Sequence, residues 1–178
     1  KAVEQICSRV NKKIVLITKS TVPVGTAKKI KNIIKKYNKD ELITVASNPE
    51  FLREGSAIND FLRPDRVVIG TNDEYSRLLL NSLYKPLNIR QVPIVNTDTE
   101  TSELIKYASN SFLATKITFI NEISLFCKKT GTNISDVTRA MGLDKRIGSK
   151  FLHPGPGYGG SCFPKDTLAM SKIFKDQK

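Results

Sequence analysis

Residues 13–18, with the sequence KIVLIT, form a continuous apolar run that is typical of a β-strand buried on both faces of a sheet. Further runs of this kind follow along the chain at 42–47, 66–70 and 92–96. Helical patterns lie between them, at 28–39 and 73–87. Because strand and helix patterns alternate, residues 1–96 are predicted to form an α/β domain with a parallel sheet.

The rest of the chain, residues 97–178, has a helical pattern. One long periodic segment follows the capping residues at 97–99 and ends before Gly131, and a shorter helix is predicted over 133–142 with Asn133 or Ser135 as its cap. Several apolar residues of the long segment fall on one helical face: Leu104, Ala108, Phe112, Phe119 and Ile123. We therefore expect an all-helical second domain.

The net charge of +12 raises one alternative, a basic nucleic-acid-binding module. The densest basic run, at 28–39, alternates with isoleucines at helical spacing, which is typical of an amphipathic helix with a solvated lysine face. No group of aromatic residues suited to stacking on bases accompanies this run. A solvated face is the better interpretation, and no nucleic-acid partner is expected.

Cysteine and histidine content limits the chemistry further. The chain has three cysteines, no C-x-x-C pair and a single histidine, which argues against a disulfide framework and against a metal site. It has neither the ~18-residue apolar run of a membrane span nor a signal-peptide pattern. We expect a cytoplasmic protein with no membrane partner. Because the chain starts at Lys1 and stops at Lys178 within a helical pattern, we also expect it to be a piece of a longer protein.

The glycine-rich stretch GPGYGGSCFPKDT, at 155–167, has the features of a reactive-cysteine loop. Its glycines allow the backbone to approach a ligand closely, and Pro164 suits the first residue of a helix. Cys162 would then lie just before a helix N-terminus, where free amides stabilise a thiolate and Lys165 adds positive charge. The alternative is a buried, inert cysteine, which is what the apolar surroundings of Cys127 indicate for that residue.

Two further groups of polar residues are candidates for a site. Lys106 and Asn110 are four positions apart, so they share a helix face and can hold an oxyanion, although an isolated pair of this kind is more often solvated surface. Glu50 and Glu54 follow the strand at 42–47, where open α/β sheets bind ligands, and suit acid–base chemistry or ligand contacts.

A third candidate is Thr21, which follows the strand at 13–18 and can offer a hydroxyl to a cofactor. No G-x-G-x-x-G fingerprint occurs at a strand–helix junction of this chain. Its absence is explained if the first strands of the sheet precede Lys1.

Six stretches together resemble the nucleotide-sugar dehydrogenases of the UDP-glucose/GDP-mannose dehydrogenase family. They are KSTVPVGT (19–26), SNPEFLREGSAI (47–58), PDRVVIG (64–70), ELIKYASNSFLATKITFINEIS (103–124), RIGSKFL (146–152) and PGPGYGGSCFPKD (154–166). The resemblance covers nearly the whole chain, and the segment around Cys162 is most similar to the UDP-glucose branch. The GDP-mannose and UDP-acetylamino-sugar branches remain alternatives.

The resemblance implies an NAD-dependent oxidoreductase that makes a polysaccharide precursor. UDP-glucose would be oxidised by four electrons to UDP-glucuronate, with two NAD molecules reduced in turn and the sugar held on a cysteine as a thiohemiacetal and then a thioester. Residues 1–96 would be the C-terminal portion of a Rossmann-like NAD-binding domain, and residues 97–178 a helical central dimerisation domain with the catalytic cysteine loop.

The resemblance also assigns roles to individual residues. The catalytic set is Cys162 as the nucleophile, Lys106 and Asn110 at the developing oxyanion, Asp166 in proton transfer, and Glu50 in hydrolysis. The NAD contacts are Thr21, Glu54 and Lys165. The substrate contacts are Phe51, Leu52, Arg53, Arg146, Phe151, Leu152, Tyr158 and Gly159.

Two expectations about assembly and activity follow from the same resemblance. Arg146 would reach the active site of a neighbouring subunit, which implies a homodimer through the central helix. The phosphate-binding glycine motif and the family's C-terminal domain are not in the chain, so we expect the chain alone to lack dehydrogenase activity and to bind NAD negligibly.

Overall fold

The computed structural model describes residues 1–90 and 92–176 and divides the chain into two compact units. The first unit is Lys1–Lys106, and the second begins at Tyr107. The division falls inside one long helix, Thr99–Thr130, so the predicted domain boundary after residue 96 remains a prediction. Lys178, where the sequence stops, lies outside the described residues.

The first unit alternates helices and strands, as the apolar runs predict. Its elements in chain order are α1 (Ala2–Cys7), β1 (Ile14–Thr18), α2 (Thr26–Lys36), β2 (Ile43–Ser47), α3 (Ala57–Leu62), β3 (Val67–Gly70), α4 (Glu74–Tyr84), a 3-10 helix (Lys85–Arg90), β4 (Ile94–Thr97) and the start of α5 (Thr99–Thr130). The α/β prediction for this part of the chain is confirmed, whereas the short helices α1 and α3 had no sequence signal strong enough to predict them.

The four strands form one sheet in the order β1-β2-β3-β4. β1 pairs with β2, and β3 with β4, in parallel, but β2 and β3 are antiparallel through the bridge between Ser47 and Gly70. The prediction of a wholly parallel sheet is therefore wrong for this central pair. The connection from β2 to β3 contains the six-residue helix α3, in place of the longer crossover helix that usually joins parallel strands.

Helices cover both faces of the sheet, because successive side chains of a strand point to opposite faces. On β2, Ile43 and Val45 belong to one apolar cluster with α1 and α2, and Ala46 belongs to another with Leu80 and Tyr84 of α4. Ile30 and Ile34 of α2 are buried in the first cluster while most of the α2 lysines are exposed. The basic run is thus a solvated helix face, as predicted.

The end of β3 packs directly against the start of α5. A Cβ placed on Gly70 would lie 2.3 Å from Ser102 Cβ and 2.6 Å from the carbonyl oxygen of Asp98. The Asp98 side chain accepts hydrogen bonds from the backbone N–H and the hydroxyl of Thr101, each at 2.7 Å, and so caps α5. Only glycine fits at position 70 with α5 at this separation.

The second unit contains most of α5, together with α6 (Ile134–Leu143) and α7 (Phe163–Asp176). The side chain of Asn133 accepts a hydrogen bond from Ser135 N–H at 2.9 Å, which confirms Asn133 as the cap of α6. Gly131 ends α5 with a φ of +72°, a left-handed conformation that favours glycine. Cys127 is buried, as its apolar surroundings predict.

The apolar stripe predicted on the long helix lies largely at the surface of this chain. Leu104, Phe112 and Phe119 are exposed, as are Leu125 and Phe126 further along the helix. The buried residues of α5 include Tyr107, Asn110, Ala114, Ile120 and Cys127. The helix therefore packs with a mixed polar and apolar face and leaves an apolar one uncovered.

We expect Gly70→Ala to lower the free energy of unfolding by about 1–3 kcal/mol, because the added methyl group overlaps Ser102 and the Asp98 carbonyl. Urea unfolding followed by circular dichroism measures the change. Gly155→Ala is the matched control, since no atom lies within 4 Å of its added Cβ and its φ is not positive. Equal unfolding midpoints for the two variants would contradict the close packing of β3 on α5.

Candidate active site

In the first unit, Lys106 of α5 lies against the loop that follows β2. Its Nζ is 3.3 Å from Glu50 Oε1, and its side chain is 4% exposed. The other carboxylate oxygen, Glu50 Oε2, accepts a hydrogen bond from the backbone N–H of Leu52 at 2.7 Å. The sequence places this lysine and glutamate in separate motifs, and the structure brings them together as a buried cation with a half-buried anion beside it.

The ring of Phe51 contacts two cations. The guanidinium carbon of Arg66 lies 3.8 Å from the ring centroid, and Lys106 Nζ lies 5.2 Å from it. Both distances are within the range of cation–π attraction. Phe51 therefore helps to hold Lys106 in place. The family resemblance also assigns Phe51 to the wall around the sugar nucleotide.

A buried polar cluster supports the start of this loop. Asn48 Oδ1 accepts hydrogen bonds from Lys19 Nζ, at 3.0 Å, and from the Tyr84 hydroxyl, and its Nδ2 donates to the carbonyl of Val68 at 2.7 Å. Asn48 is 2% exposed. Because both the oxygen and the nitrogen of its amide have partners, the backbone that leads to Glu50 is held in one conformation.

The loop between β1 and α2 carries Thr21, which is half-buried. The N-terminus of α2 beside it is already occupied by a carboxylate of this chain: Glu103 accepts hydrogen bonds from the N–H groups of Gly25, at 2.6 Å, and Ala27, at 2.8 Å. These amides are therefore not available to a phosphate. The Thr21 hydroxyl and the exposed Glu54 carboxylate fit the hydroxyl and amide groups of a dinucleotide better than its pyrophosphate.

In the second unit, Asp166 is fully buried in the first turn of α7. Asn110 Nδ2 donates a hydrogen bond to Asp166 Oδ2 at 2.6 Å, and Lys165 Nζ donates to Asp166 Oδ1 at 2.8 Å. The hydrogen bond that Lys165 donates to Asp166 raises the pKa of Lys165, burial opposes this rise by a smaller amount, and the charge of Asp166 adds to it. The predicted catalytic residues Asn110 and Asp166 thus contact each other.

Cys162 lies at the N-terminus of α7. Its carbonyl oxygen accepts a hydrogen bond from Asp166 N–H at 2.9 Å, and it directly precedes the helix, which begins at Phe163, one residue before the predicted start at Pro164. The thiol is half-buried, and its Sγ lies 3.7 Å from Ser161 Oγ. The other two cysteines, Cys7 and Cys127, are buried. The environment of Cys162 combines partial access with a helix N-terminus and a nearby lysine, which is the environment of a reactive cysteine.

Contacts within the second unit hold the loop that precedes Cys162. Gly155 N–H donates a hydrogen bond to Asn121 Oδ1 of α5 at 2.8 Å. The Phe163 ring packs edge-on against Phe151 and Tyr158, with centroid separations of 6.3 and 6.4 Å. These contacts fix the loop on both sides of its glycines.

Phe151 itself has a φ of +65°, which is unusual for a bulky residue and marks local backbone strain. Its neighbour Leu152 is 2% exposed and anchors the segment. Among the described residues, no atom outside Gly159 and its two chain neighbours lies within 4 Å of the position that a Cβ on Gly159 would take, so the backbone there faces open space. The segment that the family resemblance assigns to the substrate is thus anchored at Leu152 and open at the glycines.

Two predicted substrate residues have their charges paired within the chain. Arg53 forms an ion pair with Asp60 at 2.6 Å, and Arg146 forms one with Asp144 at 2.6 Å. Both arginine side chains are largely exposed, and each partner's hydrogen bond raises the arginine pKa. Leu52, another exposed member of this predicted set, donates its backbone N–H to Glu50.

Three residues of the site region make contacts that the sequence did not predict: Arg66, Glu103 and Asn121. Glu103 and Asn121 join segments 76 and 34 positions apart, so no local pattern indicates these contacts. The one available signal is that all three fall within stretches that resemble the dehydrogenase family.

The described part of the chain, residues 1–90 and 92–176, lacks two kinds of feature. Within it, no group of three or more His, Cys, Asp or Glu side chains is arranged to hold a metal ion. None of its helices combines the length and the apolar character needed to cross a membrane.

Two domains of one protein family match the chain. The NAD binding domain of the UDP-glucose/GDP-mannose dehydrogenase family matches residues 1–88, and the central domain of that family matches residues 100–178. The chain belongs to the UDP-glucose/GDP-mannose dehydrogenase family. The NAD binding domain supports NAD as the cofactor, and the α/β fold followed by helices agrees with this membership.

Similar proteins in this family include UDP-glucose 6-dehydrogenase of Rhizobium meliloti strain 1021, which is 57% identical over 98% of this chain and 40% of its own length. A solved UDP-glucose dehydrogenase of Pyrobaculum islandicum is 43% identical with a TM-score of 0.90, over 98% of this chain and 40% of that one. A solved GDP-mannose dehydrogenase of Pseudomonas aeruginosa is 30% identical with a TM-score of 0.70, over 98% and 42%. The chain spans about 40% of the length of the curated relatives it matches.

Proposed function

We propose that the protein containing this chain is an NAD-dependent nucleotide-sugar 6-dehydrogenase that oxidises UDP-glucose to UDP-glucuronate, a precursor for polysaccharide synthesis. The observation that carries this proposal is the placement of Cys162 at the N-terminus of α7, beside Lys165 and Asp166. Higher identity to UDP-glucose dehydrogenases than to the GDP-mannose enzyme supports UDP-glucose as the substrate. The three free thiols support a cytoplasmic location.

The chemistry requires a nucleophile because the product is two oxidation levels above the alcohol. NAD, when bound, would accept a hydride in each of the two oxidations. The Cys162 sulfur would add to the aldehyde carbon formed first, giving a thiohemiacetal, whose oxidation leaves a thioester. Water then breaks the C–S bond and releases the carboxylate and the thiolate. Per molecule of UDP-glucose, two NAD are reduced and one water is consumed, with three protons released.

The remaining predicted catalytic residues would stabilise negative charge and transfer protons. Lys106, whose ammonium is buried next to Glu50, would stabilise negative charge that develops on the sugar oxygen. Asn110 and Asp166 form a fixed hydrogen-bonded pair, so the carboxylate is held for proton transfer to or from the reacting oxygen. Glu50 would orient the water for thioester hydrolysis.

The other predicted residues would bind the two ligands. Thr21, Glu54 and Lys165 would contact NAD, and the glycine loop would close over the sugar nucleotide. The substrate contacts would come from Phe51, Leu52, Arg53, Phe151, Leu152, Tyr158 and Gly159. Arg146 would act in the site of a second subunit, which requires it to leave Asp144, an exposed ion pair worth little in water.

In the full-length protein, Cys162→Ser is expected to reduce UDP-glucose turnover by at least about 10³-fold, because an alcohol is a far weaker nucleophile than a thiolate. UDP-glucose affinity, measured by calorimetry, should be nearly unchanged. Cys127→Ala is the control, since it removes a different thiol, which is buried in α5. Surviving turnover with lost binding would refute the nucleophile assignment, and faster turnover of GDP-mannose or a UDP-acetylamino sugar would correct the substrate.

The chain alone should neither oxidise UDP-glucose nor bind NAD measurably, because no G-x-G-x-x-G fingerprint occurs at a strand–helix junction of the chain. Isothermal titration of the 178-residue chain with NAD tests this. The full-length protein, titrated in the same buffer, is the positive control. Micromolar affinity of the short chain would show that its own residues suffice for the cofactor.

We also infer that two subunits associate through the exposed apolar face of α5, where Phe112 is 64% exposed. Phe112→Lys should shift the full-length protein from dimer toward monomer, because it places a charge on a face that would be buried. Sedimentation velocity measures the shift. Phe61→Lys, on the exposed part of α3, is the matched control. An unchanged sedimentation coefficient for Phe112→Lys would exclude this face as the contact.

A further inference from the structure

Glu103 makes an unusual contact for a glutamate in the second turn of a long helix. Its side chain leaves α5 and binds the N-terminus of α2, accepting hydrogen bonds from Gly25 and Ala27 N–H at 2.6 and 2.8 Å. The residue is 2% exposed. A carboxylate at a helix N-terminus is favoured by the helix dipole and by the free amides there.

Burial of this carboxylate has an energetic cost. Burial raises the pKa of Glu103, and the hydrogen bonds from Ala27 and Gly25 oppose that rise. An apolar residue or a local cap at position 25 would avoid the cost of a buried charge, so stability alone does not require a glutamate. What Glu103 adds is a fixed position for the C-terminal end of the loop that carries Thr21.

The neighbouring residues of α5 hold the other loop of the first unit. The Ser102 hydroxyl lies 3.3 Å from the carbonyl and 3.2 Å from the hydroxyl of Ser47, the last residue of β2. Lys106, one turn after Glu103, binds Glu50 in the loop that follows. One short helical segment therefore fixes the loops after both β1 and β2.

We propose that Glu103 is a positioning residue for NAD binding: it ties the loop at 19–25 to the helix that carries Lys106, so that Thr21 is held in place before the cofactor arrives. This inference rests on the proposed function for the assignment of Thr21 to the cofactor. A loop held in its binding conformation loses less entropy when the ligand binds, which increases affinity without a direct contact. Glu103 itself contacts the backbone amides of Gly25 and Ala27.

Glu103→Gln in the full-length protein tests the proposal. A glutamine retains one acceptor oxygen and places an NH₂ group against a backbone N–H, so one of the two hydrogen bonds is lost and two donors face each other. Hydrogen exchange of the segment at 19–27, followed by mass spectrometry, reports the freed loop. Calorimetry with NAD and with UDP-glucose, each added alone, reports the two affinities. Glu41→Gln, at an exposed position before β2, is the matched control for loss of one negative charge.

We expect Glu103→Gln to speed exchange at 19–27 and to raise the dissociation constant of NAD about tenfold, with UDP-glucose affinity changed by less than about twofold. Glu103→Asp, which keeps the charge on a shorter side chain, should restore part of the NAD affinity. A variant with a lower unfolding temperature but unchanged NAD affinity would reduce Glu103 to a structural role and overturn the proposal.

The result for Glu103→Gln can be distinguished from the result of a test of the proposed function. A wild-type protein that binds NAD but does not oxidise UDP-glucose would refute the proposed substrate, while the effect of Glu103→Gln on NAD affinity would still decide the role of Glu103. A wild-type protein without NAD affinity would overturn both.

Discussion

The first two turns of α5 are the constraint on which the first unit depends. They meet the end of β3 at Gly70, where no side chain fits, the end of β2 through Ser102, and the start of α2 through Glu103. Three elements that are distant in sequence therefore converge on one helical segment. Because Lys106 follows on the same segment, its position relative to these strand ends is set by backbone packing and by short polar contacts rather than by its own flexible side chain.

Most of the contacts at this convergence are polar and buried. An apolar contact tolerates sliding, whereas a hydrogen bond to a buried partner is lost if the geometry shifts by a fraction of an ångström, and each unsatisfied group then costs roughly 1–3 kcal/mol. Asn48 is held in the same way in the loop after β2. It accepts hydrogen bonds from Lys19 and Tyr84 and donates one to the Val68 carbonyl. The arrangement gives up some stability for a precise position, which is what a site requires of its supporting residues.

Much of the fold could be predicted from the sequence because its signals are local. The apolar run at 13–18 predicts β1 within one residue, and residue type limits the cap of α6 to Asn133 or Ser135, of which the structure has Asn133. The antiparallel pairing of β2 and β3 could not be predicted, because strand direction depends on how the 48–66 connection turns in space. The exposure of Phe112 could not be predicted from the sequence either, because periodicity identifies an apolar helix face but not the residues that cover it.

The candidate site also has features that are local in sequence and features that depend on distant residues. The chemistry proposed for Cys162 rests on local features: a proline and a lysine lie within four positions of it, and the structure has a helix start there. The partner of Asp166 is Asn110, 56 positions away, and that of Lys106 is Glu50, in another motif; neither pairing follows from spacing. A candidate reacting atom can thus be proposed from its neighbours in sequence, whereas the polar groups around it are brought there by the fold. Glu103 is the extreme case, because its sequence context indicates only an ordinary acidic residue near a helix start, and its partners are backbone amides that carry no sequence signal at all.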